Sequence, residues 1–298
     1  MNITEERLRE HVDRLAEEHP PIDLGSVDYT LRRPDLLGDR FGHVLDYMAR
    51  VELEVERNVL ELATLLPDPP EIDRYFYADV WQPQEIRHGL ILDRLQVELG
   101  RPPAQPDADR VGLKLRILGA LGRHHGFQDV CRMLYYLTGM ATERSAVLAY
   151  NLLHDGMKEL GEEAVARTVV APIKRQEPGH YAFYQMSGRL HWSRLAGWQR
   201  WLVRRLRTIS FAPVGANNKQ QRAQFGELME TLRITPSLDE FAARVTMVER
   251  ELLWAGHQGL KVPKYVLRAF RDAVEQARAQ RQDPHRIAGL EARYRSTR

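Results

Sequence analysis

Four stretches of this chain, 41–66, 72–99, 126–160 and 162–190, carry apolar residues at spacings of three and four with charged residues between them. That period turns one face of a helix toward a core, and segments so long and so charged do not make strands. The sequence therefore predicts an all-α protein. Breaks are predicted where helix-breaking residues gather: PDPP at 67–70, GRPPAQPDAD at 100–109, HHGF at 124–127, DG at 155–156 and SFAPVGANN at 210–218. Further amphipathic helices follow from about 219, among them LDEFAARVTMVERELLWA at 238–255. None of the breaks reads as a long flexible linker. The expected organisation is one helical domain over 1–298, with a bundle core at about 41–190 and C-terminal helices at about 191–298.

Charge and cysteine content narrow the class. The 43 Lys and Arg against 41 Asp and Glu leave a net charge of +2, too small for a dominant nucleic-acid surface. A single cysteine, Cys131, forms neither an intramolecular disulfide nor a cysteine-rich zinc knot and is expected in the core. No uncharged apolar run approaches the roughly 18 residues that span a bilayer. The opening MNITEERLREHVDRLAEEHPP has helical spacing at Leu8, Val12 and Leu15 rather than a signal-peptide block. A cytoplasmic protein is expected, with neither nucleic acid nor membrane among its partners.

Acids then occur where a core should be. The apolar stripe Leu45, Met48, Val55, Val59, Leu62 is continued between Met48 and Val55 by Glu52, with Glu54 and Glu56 of the same VELEVERN run as alternatives. Glu143 lies amid Leu137, Met140, Ala146, Val147 and Tyr150. A carboxylate placed in a core needs a proton, a partner or a cation. Two further segments, WQPQEIRHGL and RQEPGHYAFY, place Glu85 one helical turn from His88 and Glu177 one turn from His180. Chance supplies about one or two such pairs in a chain of this composition, and each taken singly also reads as a solvated helix face. Taken together, one Glu from each of two helices and a Glu-x-x-His from each of two others are the ligand inventory of di-iron and di-manganese carboxylate bundles. The expected ligands are Glu52, Glu85, His88, Glu143, Glu177 and His180, holding two iron ions, with manganese equally suited to the oxygen and imidazole donors.

These motifs resemble those of the soluble acyl-carrier-protein desaturases and, more widely, of the ferritin-like di-iron oxidases. WQPQEIRHG at 81–89 resembles that family's W-x-x-E-x-R-H-G, TERSA at 142–146 its Q-E-R-A-T, and EPGHYAFY at 177–184 its E-K-R-H-E-x-A-Y. The resemblance covers about residues 41–190. It implies a ferritin-like four-helix bundle core with added peripheral helices, and two irons with Glu85 and Glu177 bridging. It also implies dioxygen activation with electrons from a ferredoxin-type donor, and desaturation of a carrier-linked acyl chain. The expected partners are that substrate or another small molecule, the electron donor, and a second copy of the chain in a homodimer.

Several residues depart from the pattern. Ala146 stands where the family often has Thr, and Pro83, Pro172 and Pro178 predict kinks near the metals. Hydroxylation or N-oxygenation of a small molecule, or a non-catalytic metal site, remain the alternatives. N-oxygenases often carry a further His one turn before the last Glu-x-x-His, where this chain has Ile173. Gly139, Ala146 and Ala149 either leave room for a chain-like substrate or let helices pack closely. Tyr136 is expected in the core near Glu143, and His154 at a helix end. Residues 261–298 hold ten basic against four acidic side chains and read either as a docking surface for an acidic carrier protein or as a solvated helix pair.

Overall fold

The computed structural model of the chain describes residues 3–106, 120, 125–216 and 218–282, and among them every regular element is helical. α1 (Glu5–Glu18) starts at Thr4, whose hydroxyl accepts from the Arg7 amide, and buries Leu8, Val12 and Leu15. α2 (Pro34–Leu53) begins earlier than the apolar stripe suggested. Its proline fits the first turn, and the buried Glu162 carboxylate accepts from the Arg32 and Arg33 amides just ahead of it at 2.9 and 2.5 Å. The predicted single helix 41–66 is interrupted at Glu54, after which α3 (Val55–Leu65) continues.

Next come α4 (Glu71–Tyr75), a π-helical segment Phe76–Trp81 and α5 (Gln82–Glu98). α6 (His125–Leu160) runs for 36 residues. It is followed by a one-turn helix, a second π-helical segment Ala166–Val170, and α7 (Ala171–Arg194). α8 (Gly197–Ser210), α9 (Lys219–Thr231), α10 (Leu238–Val245) and α11 (Lys264–Arg281) complete the main elements. The stretch predicted as one helix at 238–255 pauses at Thr246 and passes through a third π-helical segment, Arg250–Trp254.

One expectation is corrected. DG at 155–156 does not break α6, because Gly156 serves close packing: a Cβ there would come within 2.4 Å of the Phe41 ring on α2. The helix ends instead by Gly161, whose φ of +76° is the left-handed conformation that closes helices. The prolines predicted to kink the helices that bear the Glu-x-x-His pairs leave those helices unbroken. Pro83 and Pro172 each stand in the first α-helical turn after a π segment, where a residue without an amide hydrogen is tolerated, and α7 runs through Pro178.

α2 packs along α5 and α6 along α7, and the α2–α3 segment touches α6 and joins the two pairs. The apolar side chains form two clusters, and each of these four rods passes from one to the other. Going along the chain, α2–α3 leads from Met48 in the first cluster to Val55 in the second; α7 leads likewise from Ile173 to Tyr181. α5 and α6 lead the opposite way, from Trp81 to Ile91 and from Met140 to Ala149. Partners within each pair therefore run antiparallel, and the acids of all four rods fall at the boundary between the clusters.

The C-terminal helices form a further layer. α9 and α11 lie in backbone contact, since a Cβ on Gly226 would meet the Ala273 carbonyl oxygen at 2.1 Å, and α9 also packs on α2. The basic C-terminal segment is partly neutralised: Arg271 pairs with Asp239 at 3.2 Å and Arg278 with Glu230 at 2.7 Å. Arg286, Arg293, Arg295 and Arg298, with Asp283 and Glu291, lie outside the described residues. No described helix is long and apolar enough to cross a membrane.

Candidate metal centre

The six side chains singled out by spacing meet at one place. Ligand atoms of Glu52, Glu85, His88 and Glu177 lie within 4.8 Å of one another, as do those of Glu85, Glu143, Glu177 and His180. Glu85 and Glu177 belong to both groups, so the cluster is two adjoining ligand sets sharing a pair of carboxylates. His180 Nδ1 is 2.8 Å from Glu85, and His88 Nδ1 is 3.2 Å from Glu177 and 3.3 Å from Glu85. His88 and His180 are fully buried, Glu85, Glu143 and Glu177 nearly so, and Glu52 is partly exposed at the cavity described below.

Crowding four carboxylates in this space dominates the electrostatics. Burial, then the charge of Glu85, pushes Glu52 and Glu143 well above the usual carboxylate range. Burial also pushes Glu85 upward, but its close approach to Glu52 and to the imidazoles of His180 and His88 outweighs this and holds Glu85 well below that range. His88 is pulled down by burial and raised, on balance, to about 10 by the Glu177 and Glu85 carboxylates. Cations placed beside these carboxylates would relieve the same repulsion.

Of the three acids in VELEVERN, the structure brings Glu52 to the cluster. Tyr150 on α6 donates its hydroxyl proton to Glu52 at 2.5 Å. Glu54 is buried elsewhere and accepts from Arg50 and Arg57, each at 2.7 Å, while Glu56 is exposed.

An outer layer escaped the sequence analysis. Gln84 precedes Glu85 and Gln176 precedes Glu177, and each glutamine crosses to the histidine of the other helix. His180 Nε2 lies 2.5 Å from Gln84 Oε1, and His88 Nε2 lies 2.7 Å from Gln176 Oε1. The chain just after α1 fixes both amides. Gln84 Nε2 donates to the His19 carbonyl at 2.5 Å, and Gln176 Nε2 donates to the Pro20 carbonyl at 2.8 Å and to that of His19 at 3.3 Å. A carbonyl only accepts, so each glutamine must turn its NH2 to the backbone and its oxygen to the imidazole. Each histidine then donates from Nε2 and turns Nδ1 toward the carboxylates. Neither Nδ1 finds a hydrogen-bond partner of proper geometry, nor do Glu85 Oε1 and Glu177 Oε1. Buried ring nitrogens and carboxylate oxygens that converge without such partners suit a cation. The signal that could have found this layer is the repeated Q-E-x-x-H, at 84–88 and 176–180.

Beside the cluster lies an apolar cavity that reaches from Glu52 and Glu143 past Ala146 and Ala149 to Phe225, Leu228 and Phe241 of the C-terminal layer. Two of the three small residues therefore leave room, whereas Gly139 packs under the Tyr184 ring, 2.2 Å from where a Cβ would stand. A second groove leads from Glu143 past Thr138 and Asn58 to Ser210, Pro213 and Gly215. Tyr136 is buried, but it donates to Asp73 at 2.6 Å rather than to the cluster. His154 lies 3.6 Å from Asp155, Ile173 is core, and Cys131 is buried.

Comparison with protein-family models, with curated proteins and with solved structures finds no match to this chain.

Proposed function

We propose that the chain is a dioxygen-dependent two-iron oxidase, built on a ferritin-like bundle core, that acts on a carbon chain held in the apolar cavity. The observation that carries this reading is the pair of ligand sets sharing Glu85 and Glu177. Four carboxylates balance the charge of two divalent ions, and one imidazole per set suits iron, with manganese as the alternative. Glu52, Glu85, His88 and Glu177 would hold one ion, and Glu85, Glu143, Glu177 and His180 the other. When bound, the iron supplies the activation of dioxygen.

The chain's own residues do the rest. Gln84 and Gln176 hold the imidazoles in one tautomer with Nδ1 inward. Tyr150 orients Glu52 by its hydrogen bond, and Met48, Ala146 and Ala149 exclude water from the substrate side. Desaturation is the reaction that an apolar cavity and the motif resemblance favour together. Two hydrogens leave adjacent carbons, a ferredoxin-type donor supplies two electrons with two protons from solvent, and dioxygen becomes two waters. Hydroxylation or N-oxygenation would draw on the same ligands and differ in product; the apolar lining favours a carbon chain over an amine.

Reconstitution with ferrous iron under anaerobic conditions tests the proposal. The expected result is about two irons per chain, since six such ligands over-charge a single ion, and oxygen uptake with a ferredoxin system that an acyl substrate, free or carrier-linked, increases with formation of an alkene. One zinc per chain, or no metal after iron and manganese have both been offered, overturns it. Stoichiometric iron without oxygen uptake would make the chain a non-catalytic metal protein.

A further inference from the structure

Between Glu177 and Glu227 the sequence has no acidic residue and eight Lys and Arg, in a chain whose net charge is only +2. α8 occupies the middle of that stretch. On its outer side Trp198, Trp201, Arg205 and Ile209 follow at intervals of three and four, which places them on one stripe of the helix. Trp198 is 50% exposed, Trp201 57% and Ile209 81%. Large apolar side chains so exposed, aligned on one helix face, mark an interaction surface rather than ordinary scatter.

The charges around the stripe are only partly satisfied. Arg189, Arg194 and Arg207 pair with Glu251, Glu5 and Glu249. Arg200 and Arg204 donate to the backbone carbonyls of Ser193 and Leu253 and lie over the Trp192 ring, and Arg205 lies over Trp201. Among the described residues none of these last three has a carboxylate partner. Ser210, the final residue of α8, lines the groove that leads to Glu143. The stripe thus ends at a route to the metal cluster.

We propose that this face of α8 adsorbs to an anionic lipid surface, and that an alkyl chain passes from there through the groove at Ser210–Gly215 to the cavity. The second part rests on the oxidase reading; the adsorption does not. Tryptophan and arginine on one amphipathic helix suit the boundary between lipid headgroups and acyl chains, where the indole ring is at once apolar and wet. Unpaired arginines attract acidic headgroups. A lipid surface engages a continuous helix face and needs no pocket. No described helix is long and apolar enough to cross a bilayer, and adsorption to its surface needs none.

Co-sedimentation with vesicles tests this, using full-length protein with and without iron. Vesicles of equal parts phosphatidylglycerol and phosphatidylcholine are compared with phosphatidylcholine alone. Binding to the anionic vesicles only is expected, independent of iron and weakening with salt. Arg205→Gln lowers the affinity about fivefold, and the pair Trp201→Ser with Ile209→Ser about tenfold or more. Leu260→Ser, also at an exposed site but remote in sequence, leaves it unchanged. Because iron is not required, failure here is distinct from failure of the oxidase reading. No binding to anionic vesicles, or equal binding by the variants, overturns the proposal. Should vesicles not bind while the paired variant loses a dimer seen by light scattering, the face is a subunit interface. Should that variant instead lose saturable binding of a purified acidic carrier protein, the face belongs to a protein partner.

Discussion

Glu52 and Glu54, separated by one residue, take different partners: Tyr150 donates to Glu52 at 2.5 Å, whereas Arg50 and Arg57 both donate to Glu54 at 2.7 Å. One acid belongs to the cluster and the other to a buried ion pair. Glu52→Ala should therefore lower metal content while leaving the fold intact. Glu54→Ala should keep its metal and lose about 3 kcal/mol of stability, because two arginines lose their buried counter-charge. Elemental analysis beside denaturant unfolding measures both, and the reverse pattern would show the first-helix ligand to be misassigned.

The crossed glutamines make a second prediction. Gln84→Leu removes the acceptor from His180 and Gln176→Leu from His88, so each should weaken metal binding by about 10- to 100-fold. Titration of the apoprotein with ferrous iron would reveal it. Unchanged affinity in both variants would mean that packing alone orients the imidazoles.

Asp73 provides a pH test away from the cluster. Burial pushes its carboxyl up to about 6, against the hydrogen bond from Tyr136 and the charge of Arg132. A folded-state value above the unfolded one means that the native state binds more protons between the two. Stability is thus fully present below about pH 4 and is lost as pH rises toward 6, by an amount on the order of 3 kcal/mol. Asp73→Asn should remove this fall. Melting temperatures of the two proteins between pH 4 and 7 decide the matter, and parallel curves would refute it.

Gly226→Ala should destabilise the protein by about 1–3 kcal/mol or more, since the added methyl group meets the Ala273 carbonyl rather than a movable side chain. Gly38→Ala on α2, where a Cβ meets nothing within 4 Å, should be neutral or slightly stabilising. Urea unfolding of the pair tests the contrast, and equal midpoints would argue that α9 and α11 can move apart freely.

The helical character of the chain was legible because apolar spacing records which face of a helix is buried. Glu52 and Glu143 were legible for the same reason, because a carboxylate there interrupts an apolar stripe; the other four showed as a Glu-x-x-His spacing that occurs twice. Gly156 was not legible, because a glycine that breaks a helix and one that admits a neighbouring ring look alike until the neighbour is known. The interruption at Glu54 and the π-helical turns before Pro83 and Pro172 depend on how hydrogen bonds are shared between successive turns, which residue type hardly records. Gln84 and Gln176 were passed over since a polar residue next to a candidate ligand reads as surface; their meaning lies in contacts across 96 and 88 positions of sequence.

The carbonyl of His19 accepts from both glutamines, and the same N-terminal segment is tied to α7 where His11 Nε2 meets the Gly179 carbonyl at 2.9 Å. A single peptide unit thus serves as common ground for two histidines on different helices. Thermodynamic reciprocity then applies: whatever free energy the docked segment lends to ion binding, ion binding must return to the docking. Loading the cluster should slow hydrogen exchange and protease cutting around residues 11–20, and cutting there should loosen the ions. With ions bound as proposed, the amino-terminal arm would be a gauge of occupancy, legible from outside the protein.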